Sequence, residues 1–217
     1  MADYIFYHGN KNYSSWSMRG GLALALSGAE FEAMFFHLAE PGIRDKIRQH
    51  SPTGKVPALR HGELVIWDSL AIAEYLAERF PRAGMWPEDP SRRAIARAIC
   101  AEMHSGFPAL RTHMPMNIRR SSPGKGRAPG VQTDIDRITE IWRDCRARHS
   151  DEGPYLFGRW CLADVFYAPV VTRFRTYAVE IDDLSQAYCA AVWAQEHVAE
   201  WRAAAQAESW VEAEYDL

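Results

Sequence analysis

The stretch SPTGKVPAL, from Ser51 to Leu59, decides how the first half of the chain is interpreted. Pro57 stands where a strand begins, and a sheet tolerates proline only at a strand start, at an edge or at a bulge. A cis bond between Val56 and Pro57 would solve that geometry. It would also turn the main chain of Val56 outward, toward a peptide-like ligand. An ordinary proline turn is the alternative. On the residues around Pro57 alone, the turn is favoured.

Strand and helix patterns alternate on both sides of this stretch. Short apolar or alternating segments predict strands at 4–7 and 31–35, and a hairpin over 56–66 that turns at His61-Gly62. Helical spacing predicts helices at 18–26, 43–50 and 70–80, the last closed by Pro81. The order β-α-β-α-β-β-α favours a mixed four-stranded sheet flanked by helices.

The second half of the chain has a different character. Pro81 to Pro90 (PRAGMWPEDP) contains three prolines and a glycine, which is typical of a linker. Beyond this linker, the helical spacing of apolar residues and the alanine content predict helices at 91–110, 133–149, 162–177 and 184–207. We therefore predict one domain over 1–82, a linker over 83–90 and an all-helical domain over 91–217.

Composition excludes several functional classes. A net charge of −3 and a pI near 6.2 give no electrostatic reason to expect nucleic acid or an anionic membrane as partner. The start MADYIFYHG does not resemble a signal peptide, and no apolar run reaches the length of a membrane span. A cytoplasmic location is the expectation. The four cysteines are scattered and the eight histidines form no cluster, so we predict neither disulfides nor a metal.

Two further motifs carry polar side chains at predicted helix starts. Asp68 and Ser69 open the third helix, where free N–H groups and the positive end of the helix dipole accept a carboxylate. With Asp68 pairing an adjacent ammonium, the two would fit the zwitterionic end of an amino acid. Helix capping alone is the alternative. The segment NYSSWSMR, Asn12 to Arg19, places three serines at the start of the first helix.

Taken together, these motifs resemble those of the glutathione transferase family. Ser14 to Leu24 looks like the S-x-x-x-x-R-x-x-I-A-L segment of serine-type classes such as zeta, tau and theta. The segment 51–59 is similar to N-P-x-G-K-V-P-x-L, and 68–76 resembles E/D-S-x-A-I-x-x-Y-L. The resemblance covers nearly the whole chain. It implies a thioredoxin-like N-terminal domain followed by an all-helical C-terminal domain.

The resemblance also implies roles for individual residues. Ser14 matches the serine whose hydroxyl donates to the sulfur of glutathione, the co-substrate. Ser15 is expected to cap the first helix or to be a second donor to the same sulfur, and Ser17 to be structural. Lys55, Val56 and Pro57 would hold the tripeptide, whereas Asp68 and Ser69 would bind its γ-glutamyl end.

The second substrate is expected between the two domains, where six side chains are candidates. Two precede or begin the first helix and four lie on or just after the first long helix of the second half: Tyr13, Trp16, Glu102, His104, Arg111 and Met114. Each is as compatible with packing as with substrate contact.

The sequence departs from the family pattern at two places. The zeta class has a cysteine two residues after its catalytic serine, and Trp16 stands there, which puts maleylacetoacetate isomerase activity in doubt. The first cysteine is Cys100, so cysteine-type chemistry through the first helix is excluded. Gly158 to Asp164 resembles the family's helix-capping box with Cys161 in place of a hydroxyl residue, and we interpret Asp164 as structural.

The expected function is therefore a glutathione transferase, which ionises the glutathione thiol for conjugation to an electrophile in detoxification and which also reduces hydroperoxides as a side activity. A homodimer is expected from the resemblance. The alternatives are a non-catalytic glutathione-fold binding or assembly protein and a zeta-like isomerase. A thiol–disulfide oxidoreductase is disfavoured, because the thioredoxin-like half has no cysteine.

Overall fold

Four strands form one mixed sheet in the first third of the chain. The computed structural model describes residues 3–212. The strands run in the spatial order β2-β1-β3-β4, with β1 and β2 parallel and the other two pairs antiparallel. The predicted mixed four-stranded sheet is therefore confirmed. The strand bounds are β1 Tyr4–His8, β2 Phe31–Phe35, β3 Ala58–His61 and β4 Leu64–Trp67.

Three helices cover the two faces of this sheet: α1 Ser15–Ser27, α2 Ile43–Arg48 and α3 Ser69–Arg79. Successive residues of a strand point to opposite faces, so neighbours on β1 enter different cores. Phe6 packs in the large core with α1 and α3, whereas Tyr7 packs in a smaller cluster with α2. The central strand β1 is thus buried on both faces, as its apolar sequence predicts, whereas the edge strand β2 is exposed along its length.

The second half consists of helices, as predicted, but two of the predicted helices are broken. The helix expected over 91–110 ends at Ser105, because Phe107 is left-handed (φ +60°) and Pro108 starts a new helix. The helix expected over 184–207 breaks at Gln195, which is extended and caps the next helix with its side chain. The bounds are α4 Pro90–Ser105, α5 Pro108–His113, α6 Val131–His149, α7 Leu162–Thr176, α8 Asp183–Ala194 and α9 Glu196–Ala207, with short 3-10 turns at Pro81–Ala83 and Ser150–Glu152.

Helix α7 runs through the centre of the helical half, and Asp164 fixes its start. The buried carboxylate of Asp164 accepts hydrogen bonds from the main-chain N–H groups of Leu156 and Cys161, both at 3.0 Å, and from the hydroxyl of Tyr188 at 3.1 Å. Burial raises the pKa of Asp164 to about 6, although the three hydrogen bonds act to lower it. All of its contacts are internal, as a structural role requires.

Helix α9 returns to the first domain and packs on α1. The approach is so close at Gly21 that a Cβ atom there would lie 2.3 Å from Cζ3 of Trp201. The indole N–H of Trp201 donates to the carbonyl of Lys11 at 3.1 Å. The middle of α9 is thereby held beside the turn between β1 and α1. Among residues 3–212, no helix has the length and apolarity needed to cross a bilayer.

Candidate active site

A groove of about 440 Å³ opens between the β3–β4 hairpin and the starts of α1 and α3. The proline-containing segment before β3 forms one wall, and the Val56–Pro57 peptide bond is cis. All five residues predicted to bind glutathione meet in this groove. It is lined by Trp16, Thr53, Lys55, Val56, Pro57, Trp67, Asp68 and Ser69.

The start of α3 gives the groove a polar end. One carboxylate oxygen of Asp68 caps the helix by accepting from the N–H of Leu70 at 2.8 Å. The other lies 3.2 Å from Nε2 of His104, which belongs to α4. The Ser69 hydroxyl is buried and has no hydrogen-bond partner among the described residues. Capping therefore leaves one Asp68 oxygen and the Ser69 hydroxyl for other contacts.

The three serines of the β1–α1 junction have different partners. Ser14 is the N-cap of α1: its Oγ accepts from the N–H of Ser17 at 3.2 Å and donates to Oγ of Ser17 at 2.8 Å. Oγ of Ser17 also accepts from the N–H of Gly9 at 3.0 Å. The expectation that Ser15 is the cap is wrong, because Ser14 carries the extended backbone of a capping residue and Ser15 is already helical. Oγ of Ser15 instead accepts from Arg173 at 3.3 Å.

Behind this junction lies Arg19, a buried arginine that has no hydrogen-bond partner among the described residues. The guanidinium carbon of Arg19 lies 4.4 Å from the ring centre of Trp16 and 5.3 Å from that of Phe166. None of its three nitrogens has a hydrogen-bond partner within residues 3–212. Burial, and after it the charges of Arg111 and Arg173, hold the pKa of Arg19 well below its usual range.

Arg111 and Arg173 complete a cluster of three cations, which we call the arginine cluster (Arg19, Arg111, Arg173). Arg111 donates to the carbonyls of Gly106, at 2.9 Å, and Met103, and its guanidinium lies 5.1 Å from the Trp16 ring centre. Arg173 is buried on α7, and burial lowers its pKa to about 9. None of the three forms an ion pair with a carboxylate of the described residues. Positive charge thus accumulates beside Trp16, between the two halves.

The structure brings three of the six predicted cleft residues together. Trp16 and His104 are in edge-to-face contact, with ring centres 5.1 Å apart, and Arg111 lies over the same indole. The pKa of His104 is lowered, mainly by burial. The charge of Asp68 acts to raise it, and the charges of Arg19 and Arg111 act to lower it further. Trp16 and His104 thus lie between the groove and the arginine cluster.

The other three predicted cleft residues do not line this groove and have partners within the protein. Tyr13 is buried, and its hydroxyl accepts from Arg119 and from the N–H of Glu212, both at 3.2 Å. Glu102 is engaged by Arg137 of α6, and Met114 is completely buried in the core. The partners of Tyr13 and Glu102 come from distant segments of the chain, which local spacing does not show.

Comparison with known proteins gives a consistent picture. Residues 13–79 match the family model for the glutathione S-transferase N-terminal domain. The chain is 36% identical over 182 residues to the maleylacetoacetate isomerase of Mus musculus, covering 82% of this chain and 81% of that protein. The chain belongs to the glutathione transferase family.

Solved structures of other glutathione transferases superpose on almost the whole chain. A holo maleyl pyruvate isomerase, described as a bacterial glutathione S-transferase of the zeta class, superposes with a TM-score of 0.74 at 26% identity, covering 95% of this chain and 100% of that one. A glutathione transferase homologue from Burkholderia with bound glutathione superposes with a TM-score of 0.69 at 27% identity, covering 94% and 99%. The thioredoxin-like and all-helical architecture is thus that of the family.

Several residues of this glutathione transferase site were missed from sequence. Thr53 and Trp67 line the groove without standing out in a motif. Arg173 did carry a signal, because it is a charged residue within the apolar run APVVTRF of α7. Within residues 3–212, no group of histidine, cysteine, aspartate and glutamate side chains is arranged to hold a metal ion.

Proposed function

We propose that this glutathione transferase is a zeta-like, glutathione-dependent cis–trans isomerase of a small unsaturated carboxylate. The observation that carries the proposal is the arginine cluster, which pairs with no carboxylate of residues 3–212 and lies next to the groove. The relatives named maleylacetoacetate and maleylpyruvate isomerase support it, since a maleyl group is a cis-unsaturated unit bearing a carboxylate. This is the alternative of the sequence analysis rather than its main expectation.

Glutathione would occupy the groove. Its γ-glutamyl carboxylate fits the buried, unpartnered hydroxyl of Ser69 at the positive end of α3, and its ammonium fits Asp68. Lys55, Val56 and Pro57 line the part of the groove before β3 and would hold the rest of the tripeptide. Because the ammonium and His104 meet the same carboxylate, glutathione binding would loosen the His104–Asp68 contact.

Ser14 would keep the glutathione sulfur ionised. To donate to the sulfur its hydroxyl must turn away from Ser17, after which the Ser17 hydroxyl can donate to Oγ of Ser14 in turn. A hydrogen bond to a charged acceptor contributes about 1.5–3 kcal/mol, which corresponds to roughly one to two pKa units. The N-terminus of α1 acts in the same direction.

Ser17 should therefore support Ser14, and its removal should have a smaller effect than removal of Ser14. In Ser17→Ala we expect the pKa of bound glutathione to rise by roughly half a unit, because one supporting hydrogen bond in a chain is lost. A pH titration of thiolate absorbance in the complex measures it. Ser27→Ala is the matched control, since Ser27 is a buried serine at the far end of α1. A pKa equal to that of wild type would contradict the supporting role.

The chemical step needs only a thiolate and a site for the developing negative charge. The sulfur adds to one carbon of the double bond, and the π electrons move onto the conjugated carbonyl oxygen. Rotation about the new single bond follows, and expulsion of the thiolate restores the double bond in the trans form. The arginine cluster would stabilise the substrate carboxylate and the enolate. Trp16 stands in place of the cysteine of the zeta pattern. The proposed reaction does not need that cysteine, because glutathione supplies the sulfur.

The test separates isomerisation from conjugation by counting thiols. First, calorimetric titration establishes whether glutathione binds. If no heat of binding is detected at millimolar glutathione, the proposal is refuted, because every later step requires bound glutathione. Next, a maleyl-type carboxylate, a neutral chlorodinitrobenzene and an organic hydroperoxide are each supplied with glutathione. We expect turnover of the maleyl compound with the free-thiol concentration unchanged. Thiol consumption matching turnover identifies a conjugating transferase or peroxidase, and binding without any turnover identifies a non-catalytic binding protein.

The homodimer and the cytoplasmic location also stay proposals. Leu64 and Trp67 on the edge strand β4 expose 50% and 47% of their surface, and an apolar groove beside them runs along the start of α3. Exposed apolar side chains on a sheet edge favour association with another surface. They support the expected dimer, and the relative molecular mass in solution would test it.

A further inference from the structure

The turn that precedes Ser14 is held almost entirely by residues that are far away in sequence. Within the turn, the N–H of Ser14 donates to the carbonyl of Asn10 at 2.8 Å. The main-chain N–H groups of Lys11 and Asn12 point away from this turn. Both are donors that need an acceptor, because Asn12 is completely buried and Lys11 is half-buried.

Glu208 supplies that acceptor. Its Oε1 accepts from the N–H of Lys11 at 2.6 Å and its Oε2 from the N–H of Asn12 at 3.1 Å. One carboxylate thus accepts from two consecutive N–H groups, and hydrogen bonds to an ionised acceptor are shorter and stronger than neutral ones. Glu208 is the residue that directly follows α9, so its position is set by the packing of Trp201 on Gly21.

The opposite side of the turn is held by the segment after α5. The N–H of Arg119 donates to Oδ1 of Asn12 at 2.9 Å, and Nδ2 of Asn12 donates to Oδ1 of Asn117 at 2.9 Å. The guanidinium of Arg119 reaches the hydroxyl of Tyr13, at 3.2 Å, and the carbonyl of Glu208. Glu208 is therefore the point at which the chain after α9, the segment after α5 and the turn are joined.

We propose that Glu208 is a positioning residue for the reaction: by holding Lys11 and Asn12 it sets the direction of the Ser14 hydroxyl. The inference rests on the proposed thiolate chemistry of Ser14. A hydroxyl stabilises a thiolate only while it lies within hydrogen-bond distance and is aligned, so a small displacement of the turn weakens the effect. Glu208 does not line the groove, so we expect it to act only through the turn.

The experiment compares Glu208→Ala and Glu208→Gln with wild type in the full chain. In Glu208→Ala we expect the pKa of the bound glutathione thiol to rise by roughly half a unit to one unit and kcat to fall about tenfold, because the reacting groups lose their alignment. The KM for glutathione should change less than twofold, because the groove residues are untouched. Glu208→Gln retains one carbonyl acceptor and should recover part of both losses. Gln206→Ala, an exposed change on the last turn of α9, should match wild type.

Two outcomes overturn the proposal. If Glu208→Ala melts at a lower temperature but keeps the wild-type thiol pKa and kcat well below its melting temperature, Glu208 only stabilises the fold. If the KM for glutathione rises as much as kcat falls, Glu208 shapes the groove rather than the Ser14 hydroxyl. Failure of the proposed function looks different, since wild type itself would then not bind glutathione or would show no depressed thiol pKa.

Discussion

Replacing Ser14 by alanine is expected to raise the pKa of glutathione in the complex by roughly one to two units. The hydroxyl contributes a hydrogen bond to the sulfur only when the sulfur is charged, so its loss destabilises the thiolate and leaves the thiol unaffected. Near neutral pH the ionised fraction, and with it kcat, should fall about 10- to 100-fold. The affinity for glutathione should change little, because Lys55, Asp68 and Ser69 retain their positions in the groove.

A pH titration of thiolate absorbance in the complex measures this prediction directly. The loss should diminish at high pH, where the thiol ionises without help. Ser14 also caps α1, and an N-cap substitution costs about 1 kcal/mol of stability. Ser14→Gly is therefore the second variant, because glycine retains most of the capping preference and removes the hydroxyl. An unchanged thiol pKa in both variants would assign the role to another donor, and Ser15→Ala would be the next variant.

Replacing Arg19 by methionine is expected to stabilise the protein and to disable it. Arg19 is a completely buried cation with no hydrogen-bond partner among the described residues, close to two other cations. Replacing buried ionic groups by apolar side chains of similar size is often neutral or stabilises by about 1–4 kcal/mol. Turnover of a carboxylate substrate should nevertheless fall roughly 10- to 150-fold, the value of one hydrogen bond to a charged group.

Two readouts keep this prediction specific. Thermal unfolding of the ligand-free protein should show a raised melting temperature, and turnover of a neutral electrophile should stay within about threefold of wild type, since the thiolate site is separate from the cluster. Met18→Leu is the matched control, because Met18 is a neighbouring buried residue of the same helix without charge. Equal losses on neutral and charged substrates would show that Arg19 acts on the thiolate or the fold rather than on the substrate carboxylate.

The architecture could be predicted from sequence because its signals are local. Pro57 at a strand start, the His61-Gly62 turn and the alternation of β1 with helical spacing lie within a few residues of the elements they define. The break at Gly106–Phe107 was missed for the same reason, because apolar spacing continues through it and only the left-handed Phe107 shows it. Local patterns predict which elements exist better than where they end.

The parts of the site that could be predicted from sequence are those whose residues lie within one short segment. The five residues expected to bind glutathione come from two short motifs and lie together in the groove. The choice between Ser14 and Ser15 as cap depends on the turn from Asn10, because two adjacent serines look alike in sequence. The arginine cluster depends on three helices that lie far apart along the chain, and its distinguishing feature is the missing partner of Arg19. The absence of a hydrogen-bond partner for Arg19 among the described residues cannot be predicted from a local sequence pattern.

The contact between Gly21 and Trp201 has a consequence for sequence divergence. Because a side chain at position 21 would occupy the space of the indole, the two positions can change only together. A homologue with a larger residue at position 21 must seat its last helix farther out, and the residue that corresponds to Glu208 would then lose its reach to Lys11 and Asn12. The residue at position 21 thus indicates where the segment directly after α9 lies. In homologues with glycine at this position we expect the segment after α9 and the turn before Ser14 to have co-evolved.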